Sequence, residues 1–222
     1  QVAYHFGSYG KTNIERLDLG LSQMQLPYQR SENIQEVLQA LRSGKVVIAM
    51  MDEEKIQVID SIDVPINKML EACVLSAEAG QLAYDSIEQV VYTNQRGDRM
   101  LWGGSKDSAQ YIVSTHRLLD HWTEPDTLPT SINRFATQTN PYVLSDGVTL
   151  YYAACDSNGL GGYDLYVTRY NTATETYTTP ENLGLPYNSP ANDYLLVIDE
   201  GRNVGYLATD RLSGKDSVRV YS

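Results

Sequence analysis

A repeat of 50 to 55 residues runs through the second half of this chain, and it restricts the fold more than any other feature. Val143-Leu144-Ser145-Asp146-Gly147, then Leu150-Tyr151-Tyr152-Ala153-Ala154-Cys155-Asp156, returns 54 residues later. The second copy reads Val197-Ile198-Asp199-Glu200-Gly201, then Val204-Gly205-Tyr206-Leu207-Ala208-Thr209-Asp210. Gly147/Gly201, Tyr152/Tyr206, Ala154/Ala208 and Asp156/Asp210 fall in register without a gap. A shift of 50 the other way sets Gly97 on Gly147, Met100 on Leu150 and Trp102 on Tyr152. The end of the unit repeats at a shift of 55, with Trp122-Thr123-Glu124-Pro125 on Tyr177-Thr178-Thr179-Pro180 and Ile132-Asn133 on Tyr187-Asn188. Self-similarity at a fixed period marks units that bury their apolar faces on one another.

Within each unit, short runs of β-formers alternate with turn residues. Asp146-Gly147, between Val143-Leu144 and Leu150-Tyr151-Tyr152, signals a tight hairpin with both central residues at positive φ. Asp156-Ser157-Asn158-Gly159-Leu160-Gly161-Gly162 is a longer turn feeding a strand from Tyr163 to Tyr170. A fourth short strand is expected near Trp122 and Tyr177, at an edge or strand end because Pro125 and Pro180 donate no ladder hydrogen bond. Tyr supplies 17 residues against 2 Phe and 2 Trp, a bias that suits half-buried strands. Four short strands per repeat predict an all-β fold, a β-propeller of four-stranded antiparallel blades. Three blades are expected at about 84–133, 134–188 and 189–222. Trp102, Tyr152 and their equivalents are expected to fill the wedges between blades.

Residues 1–83 are less regular and read as a diverged N-terminal propeller segment. A short helix is expected near 32–43, capped by Ser31, with Ile34, Val37, Leu38 and Leu41 at helical spacing and Gly44 closing it. Val46–Met50 and Ile56–Ile59 read as strands around the solvated turn Asp52-Glu53-Glu54-Lys55. Val64-Pro65-Ile66-Asn67 echoes Leu185-Pro186-Tyr187-Asn188, and Cys73–Ser76 echoes Tyr142–Ser145.

Leu144-Ser145-Asp146-Gly147, Leu150-Tyr151-Tyr152-Ala153, Gly161-Gly162-Tyr163-Asp164-Leu165-Tyr166-Val167 and Pro180-Glu181-Asn182-Leu183-Gly184 occur in an order that resembles the bacterial WD-repeat-like β-propeller family. That family includes the propeller of the Tol system and exported proteins of Bacteroidetes-type bacteria. The resemblance covers 134–222 well and 84–133 moderately. The third unit departs from it, with Lys215-Asp216-Ser217-Val218 where Gly-Gly-Tyr-Asp is expected, and the first has Ser108-Ala109-Gln110-Tyr111. The resemblance implies export to the periplasm or cell surface and a non-catalytic role in binding or assembly, with an envelope protein or protein complex as partner. Two alternatives are a cell-wall or glycan-binding module built on exposed Tyr and Trp, and a glycoside hydrolase on a propeller fold.

Charge narrows the partners. A net charge of −11 over 222 residues argues against nucleic acid and anionic membrane surfaces, which carry the same sign. The longest apolar run, Val46–Met51, is far too short to span a bilayer. The chain opens on Gln1 and closes on a strand-like Ser217–Ser222, so a removed leader or a longer parent chain is expected. Cys73 and Cys155, the two cysteines, are expected to be free and buried.

No cofactor and no metal is expected. His116 and His121 flank Leu118-Leu119 and read as an exposed turn between strands. Asp156-Ser157-Asn158-Gly159 has its glycine too early for a calcium loop and lacks the acidic twelfth residue. Gly159-Leu160-Gly161-Gly162 precedes a strand where a phosphate cradle needs a helix. No G-x-S-x-G elbow supports a hydrolase triad, and nothing fixes two carboxylates at a glycosidase separation. Candidate loop-face binding residues are Trp122, Tyr163, Asp164 and Asn158.

Overall fold

The computed structural model describes residues 57–106 and 109–222. The expected helix near 32–43 and the expected strand Val46–Met50 lie outside the described residues. Fifteen strands and two 3-10 helices follow in chain order: β1 (Ser61–Pro65), the helices Ile66–Ala72 and Ala77–Ala79, β2 (Gln81–Tyr84), β3 (Val90–Thr93), β4 (Arg99–Lys106), β5 (Ala109–Leu118), β6 (His121–Trp122), β7 (Asp126–Thr127), β8 (Thr137–Val143), β9 (Thr149–Cys155), β10 (Asp164–Asn171), β11 (Thr176–Tyr177), β12 (Glu181–Asn182), β13 (Asp193–Asp199), β14 (Val204–Thr209) and β15 (Ser217–Tyr221). The described protein is all-β, and no helix in it is long and apolar enough to cross a membrane.

Three antiparallel meanders account for the strands. The first runs β2-β3-β4-β5, with β6 and β7 pairing along the outer edge of β5. The second runs β8-β9-β10, with β11 and β12 along β10. A single parallel bridge, Gln110 to Thr137, joins these two into one sheet path. The third has the order β1-β15-β14-β13, so its fourth strand comes from upstream in the chain, with Ile62 facing Val220 and Val64 facing Val218. Neither sheet closes on itself.

The outer edges are short because Pro125 and Pro180 interrupt them, leaving two-residue strands on either side. Side chains replace the missing ladder bonds. Asn133 Oδ1 accepts from Ile112 N–H at 2.7 Å and its Nδ2 donates to Ile112 O at 3.0 Å. Asn188 does the same to Leu165, at 2.7 and 3.0 Å. Thr115 and Thr168 each donate to a carbonyl across the edge, Thr123 O at 2.6 Å and Thr178 O at 2.7 Å. The 55-residue repeat is therefore real at the level of individual hydrogen bonds.

The inner strands meet at Tyr142, which is fully buried in β8. Its ring packs edge-on to Tyr92 of β3 at 5.4 Å, and its hydroxyl donates to Ile198 O of β13 at 2.7 Å. One side chain thus touches all three meanders. The main core gathers Tyr92, Leu101, Ile112, Tyr142, Leu150, Tyr152, Tyr166, Leu195, Val197 and Val218. A smaller cluster of Ala153, Leu165 and Leu196 lies between the second and third meanders.

Several local expectations are corrected. The turn at Asp146-Gly147 places only Gly147 at positive φ (+73°), with its N–H donating to Leu144 O at 2.9 Å. The Asp146 carboxylate accepts from Val148 and Thr149 N–H, at 2.9 and 2.8 Å, and so holds the turn without a second left-handed residue. In the third meander the left-handed residue is Asn203 (φ +52°) rather than Gly201. Asp199 there pairs with Val204 where Val143 pairs with Leu150, a registration 54 to 56 residues apart that slips from the sequence match. An offset of two residues leaves side chains on their original faces, because the side-chain period of a strand is two. Tyr206 stays in the main core with its repeat equivalent Tyr152, its hydroxyl donating to Val74 O at 2.9 Å, and Leu207 packs on the Ala153–Leu165 cluster as Ala153 does.

Trp102 is half-buried, not a core wedge: Leu101 and Gly103 face β8, where Gly103 lies against Thr139, and Trp102 takes the other face. Gln57–Ile59 is not a strand, and the strand begins at Ser61. Asn67 is exposed in the first 3-10 helix and Cys73–Ser76 is extended loop, so neither short echo is structural. Both cysteines are free, but Cys155 is exposed at the end of β9 rather than buried.

Candidate functional site

Strand direction sorts the loops onto two ends. Gln110 pairs with Thr137, Thr137 with Cys155, and Asp164 with Ala154, so the 156–163 loop lies at the end where β8 begins. The β5–β6 hairpin, with Arg117 facing Trp122, lies at the opposite end. The sequence candidates therefore divide: Asn158, Tyr163 and Asp164 fall together, and Trp122 is apart from them.

At the first end, Asp164 is buried and its carboxylate is committed. It accepts from Leu160 N–H at 2.6 Å, Gly161 N–H at 3.1 Å and Asn182 Nδ2 at 3.0 Å. The glycines around it are dictated by close approach. A Cβ on Gly161 would overlap the Ala191 carbonyl oxygen, and one on Gly162 would overlap Asn192 Oδ1. Gly162 N–H donates to Ala191 O at 3.3 Å, and Asp193 N–H donates to Tyr163 O at 2.8 Å. The Gly-Gly-Tyr-Asp motif is thus a joint between the second and third meanders. Tyr163 is half-buried there, its ring 5.8 Å from that of Tyr194, and burial pushes its pKa up. Asn158 is exposed, with its N–H donating to Asp156 Oδ1 at 2.9 Å. Asp156 also accepts from the Tyr166 hydroxyl at 2.8 Å.

Sequence reasoning passed over the most heavily bonded acid at this end. Asp193 is fully buried, takes Ser189 N–H at 2.6 Å and meets Arg211 at 2.6 Å. Burial raises its pKa, against the opposing pull of Thr209 and Arg211. Arg211 also donates to Pro186 O at 2.8 Å and to Tyr187 O. A buried charge must be paired and bonded, which this arrangement achieves, but its atoms are turned inward. Among the described residues, no group of three or more His, Cys, Asp or Glu side chains is placed to hold a metal ion.

At the second end, the β5–β6 hairpin carries the apolar groups that the core leaves out. Leu119 is fully exposed, Leu118 is 51% exposed and Trp122 38%. Among the described Phe, Tyr and Trp side chains, Trp122 is the exposed one. His121 Nδ1 lies 2.9 Å from Asp120 Oδ1, and His116 is lowered in pKa by burial and by Arg99. Leu119 takes φ +34° at the turn. The available signal was that Leu119 stands at the first turn position of a two-residue hairpin, where Gly, Asn or Asp is usual.

Comparison with family models, with curated proteins and with solved structures found no match to this chain.

Proposed function

We propose that the chain is a β-propeller scaffold of a bacterial cell envelope, of the WD-repeat-like kind, exported and non-catalytic, that binds another protein through its loops. Support for the architecture comes from the three antiparallel meanders, the meeting of their strands at Tyr142, and the completion of the last meander by β1. Completing one repeat with a strand from upstream ties the two ends of a repeat array together.

One observation carries the binding role. The first two meanders use the same edge clamps, Thr115/Thr168 and Asn133/Asn188, but their edge turns differ in chemistry at the same place. The second has the polar turn Asn171–Glu175, with Asn171 Oδ1 accepting from Ala173 N–H at 2.9 Å. The first projects Leu118 and Leu119 into water. A fold that needs only a turn there does not require apolar groups. Loops on a rigid frame are where binding is placed.

The test is cross-linking in intact cells that make the protein, followed by affinity purification and mass spectrometry. Cross-links from loop residues to one envelope protein in a fixed ratio are expected. If a control complex is captured and this chain yields no protein partner, the scaffold reading falls.

A further inference from the structure

We infer that the β5–β6 hairpin is the docking element of this chain, and that Leu119, Leu118 and Trp122 with Arg117 fit a partner protein presenting an apolar pocket edged by a carboxylate. This rests on the protein-binding reading above and names its surface and chemistry.

Geometry makes the hairpin a projecting tip. Arg117 faces Trp122 and Leu118 faces His121, leaving Leu119-Asp120 as a two-residue turn. Such turns use positive φ at the first central residue, where glycine is favoured and a branched side chain is strained. Leu119 occupies that position at φ +34° and is fully exposed. The residue is unfavourable twice, for the backbone and for solubility. Strain at a residue with no packing role points to a use outside the fold.

Charge supplies the second half. The two carboxylates beside the tip are already occupied. Asp98 lies 2.7 Å from Arg96 and accepts from Asn94 Nδ2 at 2.8 Å, and Asp120 lies 2.9 Å from His121. Arg99 donates to the Tyr177 hydroxyl at 3.0 Å. Arg117 is exposed, and among the described residues its guanidinium has neither hydrogen bond nor ion pair. An unspent guanidinium opposite an exposed indole recognises a carboxylate by its planar fork while the apolar groups fill a pocket.

The experiment places a benzoylphenylalanine photo-cross-linker at position 119 of the full chain in intact cells, with positions 158 and 174 as comparison loops. The expected result is a cross-link from 119 to one protein, mapping to a segment with apolar residues beside Asp or Glu. Its yield should fall at least tenfold with Arg117→Glu or Leu118→Ser. Leu119→Gly, in otherwise native chain, should melt no lower than the parent yet lose the complex, which separates binding from folding. Cross-links to lipid alone, or to a second copy of this chain, overturn the inference. A partner caught from 158 or 174 with 119 silent overturns the inference and leaves the scaffold reading standing. Silence at all three positions removes both.

Discussion

Removing the Asn188 side chain should cost more than any surface change of equal size. The carboxamide is fully buried and makes three contacts: it accepts from Leu165 N–H at 2.7 Å, donates to Leu165 O at 3.0 Å and donates to Asn182 Oδ1 at 2.7 Å. Leu165 is itself fully buried in β10. Asn188→Ala leaves the Leu165 N–H without a partner where water does not reach, while the Leu165 carbonyl keeps the Leu183 N–H at 3.0 Å. An orphaned buried group costs about 1–3 kcal/mol, so the substitution should cost about 2 kcal/mol. Asn133→Ala removes the same clamp from Ile112, whose carbonyl keeps the Leu128 N–H, but Asn133 is only half-buried, so water relieves part of the loss and about 1 kcal/mol is expected. The two clamps are in different meanders, and their effects should add to within about half a kcal/mol. Urea unfolding with a fixed m-value measures all three variants. If Asn188→Ala costs less than about 1 kcal/mol, or if Asn133→Ala costs more than Asn188→Ala, the side chains are not replacing the edge ladder and the reasoning is wrong.

Three further outcomes follow from the same structure. With a thiol reagent near pH 8, Cys155 should react quickly and Cys73 slowly, because Cys155 is exposed while burial pushes the Cys73 thiol up to about 12; two fast thiols would contradict this. Gly161→Ala should destabilise the protein by roughly 2–4 kcal/mol through the clash with the Ala191 carbonyl, whereas Gly147→Ala, with open space around its Cβ, should cost only the left-handed strain of about 1 kcal/mol. Burial raises the Asp199 pKa, but bonds from Ser76 N–H and hydroxyl, both at 2.6 Å, outweigh it and hold the carboxyl below its usual range. Its stabilisation is present above the unfolded-state value of 3.8 and is lost as pH falls through the lower folded value. Acid titration of stability should therefore show a smaller loss in Asp199→Asn than in the parent.

How much was legible depends on which force set each feature. The strands, the fourth edge strand at Trp122 and Tyr177, and the proline breaks were readable because they follow from alternation and from the missing donor of proline. The clamps were visible only as the match of Asn133 with Asn188, whose meaning appears when both side chains are seen bridging a strand. The third repeat misled because Gly201 matches Gly147 in sequence while the backbone places its left-handed residue at Asn203. A turn that admits either residue gives no sequence signal for the two-residue offset, which leaves Tyr206 in the same core as its equivalent Tyr152. The burial of Asp164 was equally hidden, since the same Gly-Gly-Tyr-Asp letters suit an open loop and a closed joint. Burial and the Ala191 carbonyl distinguish them.

Repeated residues in this chain hold the frame, and the binding proposal accordingly rests where the repeats differ. Thr115 and Thr168, Asn133 and Asn188, and Gly97 and Gly147 each perform one structural task twice. A side chain required in every unit for folding is poorly placed to distinguish one partner from another. The β5–β6 turn is free of that requirement, as the polar Asn171–Glu175 turn of the second meander shows. Leu119 is therefore not required by the fold, and its positive-φ backbone and full exposure are the features on which the docking proposal rests.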